Sequence, residues 1–336
     1  MFPSILPAFD PANKPQLMPT DRDTVFADGT AQLFRFRNKQ GLHGRGPVVL
    51  LVPSMINRWY VFDLRSGASL IEALVADDLD VFCIDWGAPQ GEDRYITWQD
   101  IQERLHRMFR AAKRISGKPQ LGVLGYCMGA TLAAVAVALH PEGITSLVNL
   151  AGPIDFSKAG VLAEFTDARW FDAHAIAAPG NITPKQMQEG FTALRPTLQI
   201  GKWIGFADRS HDPKAVQAFV AMEAWANDNV EFPAAAYTTY ISQLYQGNQL
   251  IQGTHRVGGQ RVDLANVRCP VMVVCASRDT ICPPAAATAL IDRCGATETK
   301  VLEVPGGHVG AVIGSRASRE LYPAMAAWFR RHGELA

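Results

Sequence analysis

The chain has 336 residues, 48% hydrophobic and 19% charged, which suits a sizeable buried core and argues against global disorder. Thirty-two Lys and Arg balance 32 Asp and Glu, so the basic footprint of a nucleic-acid binder is missing. Six cysteines without a C-x-x-C pair argue against a zinc site. With an opening Met1-Phe2-Pro3-Ser4 that is no export signal, they point to a reducing, cytoplasmic setting.

Residues 1–20 read as an irregular arm. Residues 33–37 alternate apolar and basic side chains, as a half-exposed strand does. Val48-Val49-Leu50-Leu51-Val52, closed by Pro53, has the continuous apolar character of a buried parallel strand. A helix is predicted over 69–79, a second buried strand over 81–84, and an amphipathic helix over 99–115 with Ile101, Leu105, Met108 and Phe109 on one face. Residues 121–139 carry no charge and are long enough to span a bilayer. Gly122, Gly125 and Gly129 crowd the first half of that run, which suits a strand (121–124), a turn and a helix (128–140), and no membrane span is expected. A strand follows at 147–150.

This rhythm stops at Pro153. Up to Val267 there is no buried-strand pattern, only helical periodicities and the aromatics Trp170, Trp203, Trp225, Tyr237, Tyr240 and Tyr245. The stretch reads as a mainly helical insertion. Strand and helix alternation returns with a strand at 271–274, a helix at 285–293, a strand at 299–304 and a terminal helix at 316–330. Alternation of this kind specifies a mostly parallel sheet with helices on both faces.

Gly125-Tyr126-Cys127-Met128-Gly129 sits between a predicted strand and a predicted helix, which is the context of a nucleophile elbow. Such a turn strains the central residue and lifts its side chain to the sheet edge, at a helix N-terminus that favours negative charge. The Met128 amide is a candidate oxyanion donor, and a second is expected from the turn after Val52, at Met55 or its neighbour Ile56. A structural cysteine between two packing glycines is the alternative that the pentapeptide alone leaves open. The acid and the base separate the two readings. Asp279 follows the 271–274 strand and His308 follows the last strand, in the chain order nucleophile, acid, base of an α/β-hydrolase fold. The expected architecture is therefore that fold, with its core in 1–152 and 268–336 and a cap in 153–267. The other seven histidines are read as solvated or locally bonded, and Asp85, after the second buried strand, as a structural carboxylate. A thiol nucleophile points to thioester substrates, since thioester-to-thiol exchange keeps the intermediate close in energy to the reactant.

From about Val48 to Trp328 the chain resembles polyhydroxyalkanoate synthases, in particular the short catalytic subunit of the two-subunit, class III type. The resemblance is carried by Asn57-Arg58-Trp59-Tyr60 with Asp63-Leu64, by Asp85-Trp86-Gly87-Ala88-Pro89, by the cysteine pentapeptide, and by Pro153-Ile154-Asp155-Phe156. It continues with Arg195-Pro196, Met222-Glu223-Ala224-Trp225 with Asp228, Gly258-Gly259, Asp279 with Pro283-Pro284, and Pro305-Gly306-Gly307-His308. It implies that Cys127 is acylated by an (R)-3-hydroxyacyl-coenzyme A, that His308 deprotonates it, and that Asp279 assists His308 or activates the incoming 3-hydroxyl. A growing polyester, a partner synthase subunit, a homodimer and a granule surface are implied with it; no cofactor beyond the coenzyme A of the substrate is implied, and no metal. The sequence departs from the family at Met128, where the short type often carries glutamine. Its cap motif Trp225-Ala226-Asn227-Asp228-Asn229-Val230 is a loose match, and it lacks the long N-terminal region of single-subunit synthases. A hydrolase using the same three residues, and a non-catalytic granule-binding protein, are the competing readings.

Overall fold

The computed structural model describes residues 8, 10, 14–194 and 198–333. Arg195-Pro196 and most of the N-terminal arm lie outside the described residues; 14–19 of that arm carry no helix or strand. The strands are β1 (Arg22–Asp28), β2 (Ala31–Phe36), β3 (Val48–Val52), β4 (Asp63–Arg65), β5 (Ala68–Ser69), β6 (Asp80–Asp85), β7 (Leu121–Tyr126), β8 (Ile144–Leu150), β9 (Arg256–Val257), β10 (Gln260–Arg261), β11 (Val271–Ala276) and β12 (Thr299–Val304). Eight of them form the central sheet in the order β1-β2-β6-β3-β7-β8-β11-β12. It is parallel from β6 to β12, while β1 and β2 join antiparallel at one edge.

The central strands β3, β7, β8 and β11 are buried along their whole length. Their alternate residues face opposite layers. Leu50, Val123, Leu147 and Val273 pack with α2 (Trp98–Ser116) and α3 (Met128–Leu139). Leu51, Leu124, Val148 and Val274 pack on the other face with α1 (Leu70–Ala76) and α12 (Tyr322–Arg331). The expected helices on both faces are thus present. The uncharged run of 121–139 is β7 and α3 joined at Cys127, and no described helix is long and apolar enough to cross a membrane.

Between β8 and β11 lie short helices: α4 (Val161–Phe165), α5 (Ala173–Ala177), α6 (Pro184–Leu194), α7 (Leu198–Ala207), α8 (Pro213–Ala226) and α9 (Ala234–Thr239), the last running into a π-helical turn over Tyr240–Gln246. The only described strands of this stretch are the two-residue pair β9 and β10, turned by Gly258 and Gly259 at positive φ. After β11 come α10 (Pro284–Thr288), β12 and α11 (Gly310–Ile313). The helix expected over 285–293 is only five residues long, because α10 gives way to turns at Ala289.

The end of α8 is fastened to the turn that follows β3. Trp225 Nε1 donates to the Arg58 carbonyl at 2.9 Å, and the Val230 amide donates to the Ile56 carbonyl at 3.2 Å. Asp228 accepts from the Tyr60 hydroxyl at 2.7 Å and from Arg58 Nε at 3.2 Å. Two sequence motifs about 170 residues apart are therefore one structural latch. Asp228→Ala is expected to cost about 1 kcal/mol, modest because the pair is partly exposed. Hydrogen exchange at the Val230 amide should accelerate in that variant. An unchanged exchange rate would mean that the latch does not hold this end of the insertion.

Candidate active site

Cys127 is the residue between β7 and α3. The β7 register brings Tyr126 opposite Leu150, and the Cys127 amide donates to the Leu150 carbonyl at 3.0 Å, so the cysteine leaves the sheet at its carboxyl edge. Its backbone lies at φ 56°, ψ −130°, a region that a side chain rarely occupies. The flanking glycines make this turn feasible. A Cβ on Gly125 would come within 2.4 Å of the Ala130 Cα, and one on Gly129 within 2.2 Å of the Val52 carbonyl oxygen. Strand, turn and helix are in backbone contact there.

Asp279 and His308 are joined by the pairing of β11 with β12. Their register runs to Ala276 opposite Val304 and continues into the loops: the Ser277 amide donates to the Val304 carbonyl at 3.0 Å and the Arg278 amide to the Gly306 carbonyl at 2.8 Å. The loops that carry Asp279 and His308 are zipped together. The result is a 2.6 Å contact between His308 Nδ1 and one Asp279 carboxylate oxygen. The other oxygen accepts the amides of Ile281 and Cys282, each at 2.9 Å. Both carboxylate oxygens are engaged, and the Asp279 side chain is fully shielded from solvent.

Cys127 and His308 line one cavity of about 470 Å3. Burial opposes a charge on the His308 ring, but the adjacent Cys127 charge and then the Asp279 hydrogen bond outweigh it, and the imidazole is raised from 6.5 to about 10. His308 Nε2 is buried and makes no well-aligned hydrogen bond, although the Cys127 sulfur is near enough to act on the ring's affinity for its proton. Bonds of this kind are often loose until substrate is present. The arrangement therefore sets a ring that holds its proton firmly beside the Cys127 sulfur. The sign is definite: a pKa raised above the free value stabilises the fold fully below pH 6.5, and that contribution fades as pH rises through about 10. Since Cys127 is the first of the groups that raise it, the His308 titration should move down in Cys127→Ala, followed by NMR of the ring protons. A titration left at its wild-type position would mean that Cys127 does not act on the ring.

Of the predicted oxyanion residues, Met128 opens α3 and is buried, with its amide at the helix N-terminus. Met55 is also buried, but Ile56 and Asn57 are the residues of that turn that line the cavity. The remaining wall includes Val161, Met187, Met222 and Trp225 from the insertion and Ile281 and Val309 from the two loops.

Sequence reasoning missed Tyr126, whose ring stacks on His308 with centroids 5.2 Å apart and planes 28° from parallel. The signal was available in strand parity, since Leu124 and Tyr126 share the face on which His308 arrives. It also missed the buried surroundings of the thiol, where burial raises the Tyr240, Tyr245 and Cys282 pKa values and keeps these groups neutral beside Cys127. Asp85 accepts the Gly87 amide at 2.9 Å and shapes its own turn. His255, read from sequence as solvated or locally bonded, is fully buried against Trp98, and neither ring nitrogen has a hydrogen-bond partner among the described residues. Burial lowers its pKa to about 4, so it is a neutral core ring.

The class follows from this sheet order and strand–elbow–helix arrangement. A family model described as alpha/beta hydrolase fold matches residues 47–314, and the chain belongs to that family. A soluble variant of monoglyceride lipase from Saccharomyces cerevisiae has the same fold, with a TM-score of 0.58 at 15% identity, over 94% of this chain and 98% of that one. Within the fold the similarity narrows. The chain is 30% identical over 311 residues to the poly(3-hydroxyalkanoate) polymerase subunit PhaC of Allochromatium vinosum, covering 91% of this chain and 87% of that protein. It is 31% identical over 323 residues to the polymerase subunit of the same name from Synechocystis sp., covering 92% and 84%. The chain belongs to this polymerase subunit family and is an enzyme of the acyltransferase class.

Proposed function

We propose that the chain polymerises (R)-3-hydroxyacyl-coenzyme A into a polyester through an acyl-cysteine on Cys127, with release of coenzyme A. The observation that carries this reading is a thiol, not a hydroxyl, at the strained elbow beside the His308–Asp279 couple, in a member of the polymerase family. His308 takes the Cys127 proton, the sulfur attacks the thioester carbonyl, and the proton leaves with the coenzyme A thiol. The 3-hydroxyl of the next unit then attacks the acyl-cysteine; its proton passes to His308, the ester bond forms as the carbonyl carbon–sulfur bond breaks, and the released Cys127 sulfur takes the proton back from His308. In this reading the amides of Met128 and of the Met55–Ile56 turn hold the developing oxyanion. Asp279 acts through His308, since its two oxygens are already engaged with the ring and with two amides.

Residues 153–267 act as a cap over Cys127, in keeping with the share of the cavity wall that they supply. A partner synthase subunit, a homodimer and a cytoplasmic place at the polyester granule surface belong to the same proposal; the relatives' names, which call them subunits, support the first. The test is incubation with 3-hydroxybutyryl-CoA, with and without a candidate partner subunit, and in parallel expression in a host lacking its own synthase. Polymer together with free coenzyme A is expected. Free hydroxy acid without polymer would instead assign a hydrolase with the same catalytic residues.

A further inference from the structure

The wall of the cavity is apolar or uncharged along most of its course. The insertion contributes Met187, Met222 and Trp225 together with the amides Gln188 and Asn229. Among the described residues that line it there is no Asp or Glu, and Arg278 is the only Lys or Arg. Arg278 is exposed. Its backbone is fixed by the 2.8 Å hydrogen bond from its amide to the Gly306 carbonyl, in the same zipped loop pair that sets Asp279 against His308. The neighbouring Asp279 carboxylate does not pair with it, because its oxygens are taken by His308 and by the amides of Ile281 and Cys282. The site therefore has an exposed arginine on an anchored backbone at its loop side and a mostly apolar surface towards the cap.

This asymmetry has chemical content. A neutral glyceride ester has no group for an unpaired guanidinium. A coenzyme A thioester has an apolar acyl part and a nucleotide half carrying several phosphate charges. The chain as a whole is electrically neutral, so nothing general draws an anion to it. A guanidinium at the cavity is suited to phosphate oxygens, with hydrogen bonds strengthened by charge. We propose that Arg278 holds the phosphates of the coenzyme A half of the substrate, so that it selects nucleotide thioesters over shorter thioesters and neutral esters. This inference rests on the reading of the substrate given above. It makes Arg278 a binding residue, while the chemistry stays with the buried groups behind it.

Two readouts separate this inference from the proposed reaction. The first is calorimetric binding of free coenzyme A and of pantetheine, which lacks the nucleotide, to wild type, Arg278→Ala and Arg278→Lys. Coenzyme A should bind wild type about tenfold more tightly than Arg278→Ala, in line with loss of a charge-assisted contact. Pantetheine should bind both equally, and Arg278→Lys should recover part of the difference. The advantage should shrink as salt is raised from 0.05 to about 0.5 M, because the contact is exposed. The second readout is turnover. With 3-hydroxybutyryl-CoA, KM should rise about tenfold in Arg278→Ala with kcat nearly unchanged, while kcat/KM for the 3-hydroxybutyryl-pantetheine thioester stays at the wild-type value. Equal losses on both thioesters, or coenzyme A affinity indifferent to Arg278, would overturn the assignment. Arg278-dependent coenzyme A binding without polymer formation would uphold it and count against the polymerase reading alone.

Discussion

Cys127→Ala is expected to lower turnover of 3-hydroxybutyryl-CoA at least about a thousandfold, the scale on which removal of a covalent nucleophile acts. The residual rate would come from binding and from oxyanion donors, which the substitution leaves in place. Cys127→Ser is a sharper comparison. It keeps a nucleophilic atom on the same strained turn, but a hydroxyl depends far more on the base than a thiol does. The hydroxyl also removes the charge that first raises His308, so the ring should lose much of the elevation that takes it to about 10. A large loss is therefore expected in the serine variant too, with no acylated protein at neutral pH by intact-mass measurement, whereas wild type gives the acyl adduct. Folding is a separate question. Alanine occupies φ 56° no more comfortably than cysteine, so backbone strain does not distinguish the two, while Cys127→Gly should be about 1 kcal/mol more stable than Cys127→Ala from release of the strain. Alanine turnover within tenfold of wild type, with folding intact, would remove Cys127 from the chemistry.

The parts of this site that could be read in advance are those fixed by chain order. A short apolar run between breakers marks a buried strand, and β3 runs from Val48 to Val52 as expected. Once the strands are known, the fold's own sequence of nucleophile, acid and base leaves few positions for each, and parallel pairing of β11 with β12 brings Asp279 to His308. What could not be read depends on side and on depth. Between Met55 and Ile56 a single residue decides which lines the cavity, and a turn has no periodicity to reveal it. The edge strand β1 was missed because Arg22, Asp23 and Asp28 mask its alternation, and a half-exposed edge needs little apolar character. His255 was misread because a polar side chain in a glycine-rich turn looks solvated until the neighbouring Trp98 is placed over it. The link of Tyr60 and Arg58 to Asp228 joins segments with no local relation, so only the fold reveals why both motifs belong together.

Gly129→Ala is expected to destabilise the protein by more than about 3 kcal/mol and to abolish activity with it. The added methyl would stand 2.2 Å from the Val52 carbonyl oxygen, 2.5 Å from the Pro53 carbonyl oxygen and 2.7 Å from the Pro53 carbonyl carbon. All three are backbone atoms, so no side-chain rotation can relieve the clash. Relief requires α3 to move away from the end of β3, which separates Cys127 from the turn that carries Met55 and Ile56. Two consequences can be measured together. Urea unfolding should show the lost stability, and alkylation of Cys127 by iodoacetamide under native conditions should lose its dependence on the His308 titration. Gly190→Ala is the matched control. Gly190 lies within α6, and a methyl there would meet no atom within 4 Å, so the same substitution should stabilise the helix by about 0.5–1 kcal/mol through reduced backbone entropy of the unfolded chain. Opposite signs at the two glycines would show that close approach of backbone, and not helix propensity, is what requires glycine at position 129. Equal and small effects would mean that β3 and α3 can part without cost, and the elbow would then have no rigid frame from which to present its thiol.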